Sequence, residues 1–343
     1  MIYQDVELHN FVPAKGQPDA DGITLQRLPE EVRVCLNDGA KAQSMMATCC
    51  EIRFVTDDGK AKIALSCPAG SMEVIPFFGS FHNNQRFWIS QAPQTIEVNM
   101  PDYFRQLAPE LERRSPAFSP RVCRLVCGSG PVRFHKAQGV GLRPPRPAEL
   151  PRLRLLTYGT SITHQWCASA PYLCYAAQTA RRLGADLINL GQSGAAQLEK
   201  ELADYIASRK DWHVATLCIS VNMLGAGFTI EQFQQRANYF VNTLAAADTR
   251  RPVACISILP FFGDFGKEYC NNYKASPEDY RRALREVVKA SPHPNVYLFE
   301  GPQLMPDWDG LTTDLIHPAD FGMSQIAENL ARRLAPLVKP VAM

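Results

Sequence analysis

The sequence predicts an all-β sandwich over residues 1–140, a proline-rich linker over 141–152, and an α/β domain over 153–343 with a five-stranded parallel sheet between two helical layers. Three observations carry this expectation. Short, partly alternating apolar runs separated by turn residues fill the first part. Four prolines interrupt residues 139–152 and cannot continue a sheet interior. From Leu153 onward, apolar runs of strand length alternate with helical ones, the pattern of parallel βα units.

In the first part, strands are expected at Val32–Leu36, Cys50–Val55, Lys62–Cys67, Glu73–Phe78, Arg86–Ile89, Ile96–Asn99, Arg121–Cys127 and Val132–Phe134. Asn37-Asp38-Gly39, Asp57-Asp58-Gly59, Pro68-Ala69-Gly70 and Gly128-Ser129-Gly130 read as turns between them. Short strands at this spacing suggest a sandwich. The polar stretch Phe104–Arg114 is compatible with a short helix or an irregular excursion.

In the second part the expected strands are Leu153–Tyr158, Asp186–Leu190, Val214–Ser220, Pro252–Ile258 and Val296–Phe299. Helical runs lie between them at Ala170–Leu183, Gln197–Ser208, Ile230–Ala246 and Tyr280–Ala290, with Ala319–Leu337 closing the chain. Thr229 and Gln232 form a capping-box pattern, and Ser276-Pro277-Glu278 is a helix start.

Composition narrows the function. The chain is 46% hydrophobic and 20% charged with a net charge of +2, so nothing points to nucleic acid as a partner. It has no apolar run of about eighteen residues for a membrane span. The opening MIYQDVELHNF lacks the basic and apolar segments of a secretion signal, so a cytoplasmic location is expected. Eleven cysteines, an odd number with no C-x-x-C pair, read as reduced thiols rather than a disulfide framework. Cys123 and Cys127 share a strand face but have no further ligand at zinc spacing.

The chemistry is concentrated in two stretches. LRLLTYGTSIT places Ser161 just past a strand and a glycine, and DLIHP places Asp314 three residues before His317. A serine hydroxyl is a poor nucleophile until a base takes its proton, and an adjacent carboxylate orients that base. Ser161, His317 and Asp314 are therefore the expected nucleophile, base and orienting acid. The sequence around Ser161 is not G-x-S-x-G, so the α/β-hydrolase elbow does not apply. No phosphate loop, dinucleotide glycine motif or metal cluster is seen, and the chemistry needs no cofactor and no metal. His164, Trp166, Phe228, Phe261 and Phe262 fall on loops at the same expected edge and are candidates to contact substrate.

These blocks resemble the SGNH/GDSL hydrolase superfamily. Gly159-Thr160-Ser161 has Thr160 where the family usually carries an acid. Asn189-Leu190-Gly191-Gln192-Ser193-Gly194 matches the glycine block, with Gly194 as the functional glycine. Ser220-Val221-Asn222-Met223 matches the asparagine block, with Ser220 and Met223 replacing the usual Gly and Asp. Asp314–Pro318 matches fully, and the resemblance spans roughly Leu153–Leu337. It implies a flavodoxin-like α/β/α domain, an oxyanion hole from the Ser161 N–H, the Gly194 N–H and the Asn222 amide, and cleavage of carboxylic esters of short acyl groups. In such relatives a preceding β-sandwich often accompanies carbohydrate esters, so sugar deacetylation is the leading substrate class. Acyl transfer by the same residues is the alternative. A carbohydrate-binding protein with a vestigial site is a third reading, which the intact Ser, His and Asp disfavour.

Overall fold

A computed structural model of the protein describes residues 1–338 apart from 15, 17, 20, 115–116 and 267–272. The chain divides into two compact units. The first comprises Met1–Glu31, Ser44–Arg152 and Gly184–Asp186, and the second Val32–Gln43, Leu153–Leu183 and Leu187–Met343.

The first unit is built from two antiparallel sheets. Its strands are β1 (Ile2–Tyr3), β2 (Val6–His9), β3 (Val12–Pro13), β4 (Ile23–Gln26), β5 (Glu51–Phe54), β6 (Lys60–Ser66), β7 (Met72–Phe78), β8 (Phe81–His82), β9 (Phe87–Ile89), β10 (Gln94–Asn99), β11 (Cys123–Cys127) and β12 (Val132–Gln138). One sheet runs β1-β2-β5-β11-β7-β8 with β9 also on β7, and the other runs β10-β6-β12-β4-β3. Alternation does the work seen in the sequence: in β10, Ile96 and Val98 point inward while Gln94, Thr95, Glu97 and Asn99 face solvent. The inward residues of both sheets, among them Leu8, Leu25, Ile52, Ile63, Leu125 and Phe134, form one apolar cluster. Buried within this unit, the Glu51 carboxylate bonds both Arg53 Nε (2.7 Å) and Arg124 Nε (2.8 Å).

Two sequence expectations change here, and one left open is decided. Val32–Leu36 is not a strand: helix α1 (Glu30–Arg33) runs into a turn, and Cys35 is exposed. Asn37-Asp38-Gly39 is not a hairpin turn but the start of α2 (Asp38–Gln43), where the Asn37 side chain accepts from the Ala40 N–H at 3.0 Å. The polar stretch near Phe104 is helix α3 (Asp102–Arg114). The proline-rich segment is not free of the sandwich. Arg143 pairs with Val55 in an isolated bridge, and the Glu149 carbonyl accepts from the Ser119 N–H at 2.9 Å.

The second unit holds β13 (Arg154–Gly159), β14 (Asp186–Asn189), β15 (Val214–Cys218), β16 (Val253–Ile256) and β17 (Val296–Phe299), in the order β14-β13-β15-β16-β17. The pairs β13–β15, β15–β16 and β16–β17 are parallel. The four strands before β17 are buried almost throughout, as a sheet covered on both faces requires. The helices are α4 (Ser161–His164), α5 (Tyr175–Arg182), α6 (Lys200–Ser208), α7 (Val221–Gly225), α8 (Ile230–Ala247), α9 (Pro277–Ala290), α10 (Gly301–Leu304) and α11 (Asp320–Leu334). Both expected caps form: Thr229 with Gln232 starts α8, and Ser276 with Asp279 starts α9. The strand order reverses between β13 and β15, and ligands of open α/β sheets bind outside the carboxyl ends at such a point.

Candidate active site

Residue Ser161 opens α4 directly beyond β13. The turn is tight, since a Cβ at Gly159 would sit 2.5 Å from the Cys218 carbonyl oxygen. The loop after β14 fastens it from the other side. Asn189 donates its amide to the Thr163 carbonyl (2.8 Å) and accepts the Gly191 N–H (2.8 Å), while the Gln192 N–H reaches the Gly159 carbonyl (2.7 Å). Gly191 is required there, because a Cβ would meet the His164 nitrogen at 2.5 Å.

Asp314 and His317 lie on the loop between α10 and α11. That loop closes on itself through the Thr312 N–H to the His317 carbonyl (2.8 Å) and the Ala319 N–H to the Gly310 carbonyl (2.9 Å). Asp314 Oδ1 accepts from the Thr312 hydroxyl (2.8 Å) and from the N–H groups of Ile316 and His317 (both 2.9 Å). Its other oxygen accepts the His317 Nδ1–H at 2.6 Å, and His317 Nε2 lies 2.8 Å from Ser161 Oγ. Partial burial pushes the Asp314 carboxyl up, but these hydrogen bonds from His317, Ile316 and Thr312 more than reverse it and hold it well below the usual carboxylate range. With the anion fixed on Nδ1–H, Nε2 is the acceptor and the Ser161 hydroxyl donates to it.

Two further expected residues follow β14 and β15. Gly194 follows β14 in the left-handed region at φ +70°. Asn222, on α7 beyond β15, accepts the Ala196 N–H on its side-chain oxygen (3.1 Å), which leaves the amide nitrogen as the group to donate elsewhere. Just before it, Ser220 is buried at φ +103°, with no hydrogen-bond partner for its hydroxyl among the described residues. A glycine takes that conformation without strain, which is the physical reason for the glycine in the family pattern.

The candidate substrate contacts separate. Trp166 is 55% exposed with its ring 6.2 Å from the His317 ring. His164 is instead 1% exposed and its Nδ1 bonds the Gly191 carbonyl at 3.0 Å, so it braces the nucleophile turn. Phe261 is 1% exposed and packs edge-on to Phe262 at 5.2 Å. Phe228 lies under the Arg236 guanidinium at 4.9 Å. Phe262 donates its N–H to the Leu315 carbonyl (2.7 Å), tying that loop to the base loop. Sequence reasoning passed over Thr312, which serves the orienting acid, and Cys167, which is exposed beside it. Desolvation and the Asp314 charge push the Cys167 thiol up, with a Thr312 hydrogen bond opposing them. Neither residue belongs to a periodic element, so no pattern marked it.

A narrow crevice with a free volume of only about 10 Å³ lies beside the Ser161 turn, lined largely by Ile162, Ile219, Val221, Ile258, Leu259 and Phe261. No helix among the described residues is long and apolar enough to cross a membrane.

No curated protein matches the sequence. Among solved structures, the salicylyl-acyltransferase SsfX3 from a tetracycline biosynthetic pathway superposes with a TM-score of 0.76 at 17% identity, over 98% of this chain and 97% of that one. A family two carbohydrate esterase from Clostridium thermocellum, in complex with cellohexaose, gives 0.62 at 16% identity over 96% and 98%. An acetyl xylan esterase from the rumen bacterium Butyrivibrio proteoclasticus gives 0.59 at 10% identity over 98% and 96%. These likenesses establish the shared fold, a parallel α/β domain preceded by antiparallel sheets. The GDSL-like lipase/acylhydrolase model matches residues 153–335, more than half of the chain, and the protein belongs to that family of ester-cleaving enzymes.

Proposed function

We propose that the protein is a serine esterase in which Ser161, His317 and Asp314 act as nucleophile, general base and orienting acid on short acyl esters, with sugar esters as the substrate class. One observation carries the proposal: the unbroken chain from Ser161 Oγ through the His317 ring to the Asp314 carboxylate, at 2.8 and 2.6 Å. The Ser161 oxygen attacks the ester carbonyl carbon while its proton passes to His317 Nε2. Asp314 stabilises the imidazolium. The developing oxyanion takes hydrogen bonds from the N–H groups of Ser161 and Gly194 and from the Asn222 amide, each worth about 3 kcal/mol in a preorganised site. Collapse breaks the bond to the alkoxide, which leaves with the proton from Nε2. Water then repeats the sequence on the acyl-enzyme and releases the acid. The narrow apolar crevice beside the turn leaves little room and so favours a short acyl group, and the fold shared with carbohydrate esterases supports a sugar as the alcohol.

The likeness to an acyltransferase along nearly the whole of both chains favours a second reading, in which an acceptor hydroxyl replaces water at deacylation. Both readings use the same acyl-enzyme. The test is incubation with acetylated oligosaccharides and an aryl acetate, with and without added acceptor alcohols, tracking free acetate against acylated acceptor. A serine-directed phosphonate should label Ser161 at the same time. Full activity in Ser161→Ala would remove both readings.

A further inference from the structure

At the rim of this site Cys167 Sγ, a carboxylate oxygen of Asp314 and an imidazole nitrogen of His317 all lie within 4.8 Å of one another. Two loops bring them there. The Asp314–His317 loop is held by the hydrogen bonds described above. Cys167 follows α4, where Gln165 (φ 97°) and Cys167 (φ 67°) both adopt left-handed backbone conformations. For residues other than glycine that conformation costs roughly 1 kcal/mol each. Bonds from the Trp166 N–H to the Ser161 carbonyl (2.9 Å) and from the Ala168 N–H to the Gln165 carbonyl (3.0 Å) hold it in place. Cys167 has no task in moving the acyl group or the serine proton, yet it completes a set of thiol, imidazole and carboxylate on an accessible surface.

We propose that these three side chains form an inhibitory site for Zn²⁺, through which the ion reversibly switches the enzyme off. The proposal rests on the reading of Ser161, His317 and Asp314 as the catalytic groups. Thiolate, imidazole and carboxylate are the donors zinc takes, and three protein ligands with an open fourth position is a stable arrangement. Tetrahedral zinc, with bonds of about 2.0 Å to N and O and 2.3 Å to S, sets its ligand atoms roughly 3.3–3.6 Å apart. Even a separation at the 4.8 Å limit closes by no more than about 1.5 Å, and the Nδ1–Oδ2 pair at 2.6 Å opens by about 1 Å or less, within reach of side-chain rotation. Binding releases one proton, from the Cys167 thiol to solvent. The ion takes the Nδ1 lone pair, and the neutral ring then carries its one proton on Nε2. That nitrogen now faces Ser161 as a donor and can no longer accept its proton. The two positive charges are balanced by the thiolate and the Asp314 carboxylate.

The full-length chain is titrated with Cd²⁺, following the ultraviolet thiolate-to-cadmium charge-transfer band, and with Zn²⁺, following aryl acetate hydrolysis. Wild type, Cys167→Ser and Ser161→Ala are compared. Cys167→Ser should hydrolyse the ester normally without metal and lose one site's worth of the cadmium band. Its half-inhibiting Zn²⁺ concentration should rise about tenfold or more, since even losing a group that supports a ligand costs that much. Ser161→Ala should keep the band, which scores the site independently of the esterase reading. If hydrolysis fails in all forms while the difference band between wild type and Cys167→Ser persists, the metal site stands and the esterase reading falls. Identical bands or identical zinc inhibition in wild type and Cys167→Ser would overturn the proposal.

Discussion

Replacing Asp314 by Asn keeps the shape of the side chain and turns one acceptor into a donor. Three donors converge on Oδ1, from Thr312, Ile316 and His317, and only the His317 Nδ1–H uses Oδ2. An amide has one oxygen to offer. Facing the three donors, that oxygen leaves the NH₂ against Nδ1, which must then accept, so the imidazole proton moves to Nε2. The base then presents a donor to Ser161. Flipping the amide repairs the histidine but sets the NH₂ against three donors, and each donor left unpaired costs about 1–3 kcal/mol. Even if solvent satisfies two of them, the wrong orientation prevails. In serine-protease triads the same substitution leaves geometry intact and lowers kcat by about 10⁴. We expect kcat on an aryl acetate to fall about 10³–10⁴-fold, equivalent to roughly 4–5.5 kcal/mol, with KM little changed. Stopped-flow acylation and a thermal melt should be measured on the same preparation. Because the Asp314 carboxyl is held well below the usual carboxylate range, its anion is lost only as pH falls through that lowered value. Activity lost while pH passes through the ordinary carboxylate range should therefore not come from Asp314. A fall in kcat under tenfold, with an unchanged melt, would refute the reasoning that this anion sets the tautomer.

Three further outcomes follow from the same geometry. Asn222→Asp keeps the acceptor for the Ala196 N–H but removes the amide donor, so kcat should drop about 10²–10³-fold, read by steady-state kinetics, while the fold is retained. Ser220→Gly relieves a buried non-glycine residue at φ +103° and deletes its unpartnered hydroxyl, and should stabilise the protein by about 1 kcal/mol in denaturant titration; destabilisation would show that the strain is illusory. Burial raises the Glu51 carboxyl, but Arg124 and Arg53 outweigh that and hold it at about 2 against an ordinary 4.5, so its contribution of about 3 kcal/mol is complete above pH 4.5 and is lost as pH falls from there toward 2. A carboxyl ¹³C titration showing Glu51 protonated by pH 4 would contradict this.

How far the sequence carries depends on whether a feature is local or depends on the fold. The buried strands of the second unit read directly as apolar runs, and Thr229 and Ser276 announce their helices because a cap is a contact over three residues. Val32–Leu36 misled because its apolar alternation also fits a helix end followed by a turn. The acids Glu30 and Glu31 ahead of it favour the helix through its dipole. Asn37-Asp38-Gly39 misled because Asn serves turns and helix caps through the same side-chain acceptor, and what selects the cap lies far away. The Asn37 amide donates to the Ala195 carbonyl at 2.9 Å and also to the Glu199 carboxylate. This also bears on the domain boundary, since Val32–Gln43 is counted with the second unit although it precedes the sandwich strand β5. A cut near residue 150 would strip that segment away.

At the candidate site, the order of the blocks put Ser161, Gly194, Asn222 and the Asp314–His317 pair after the first, second, third and fifth strands of one sheet, and a parallel sheet brings all those ends to one edge. Individual side chains within that edge follow a different logic. His164, the last residue of α4, and Trp166 just after it are two residues apart, yet one is 1% and the other 55% exposed. His164 is held inside by the Gly191 carbonyl, supplied by the loop after β14, 27 residues further on. The departures from the family pattern obey the same rule. Met223, where an Asp is usual, is fully buried, and Ser220 survives at a glycine position because the surrounding turn over-determines its backbone. Motif order therefore gathers the candidate residues, while long-range contacts decide which of their neighbours face inward and which face solvent. Cys167 is the sharpest case, a loop residue without pattern that becomes chemically meaningful only when the fold brings it beside Asp314 and His317.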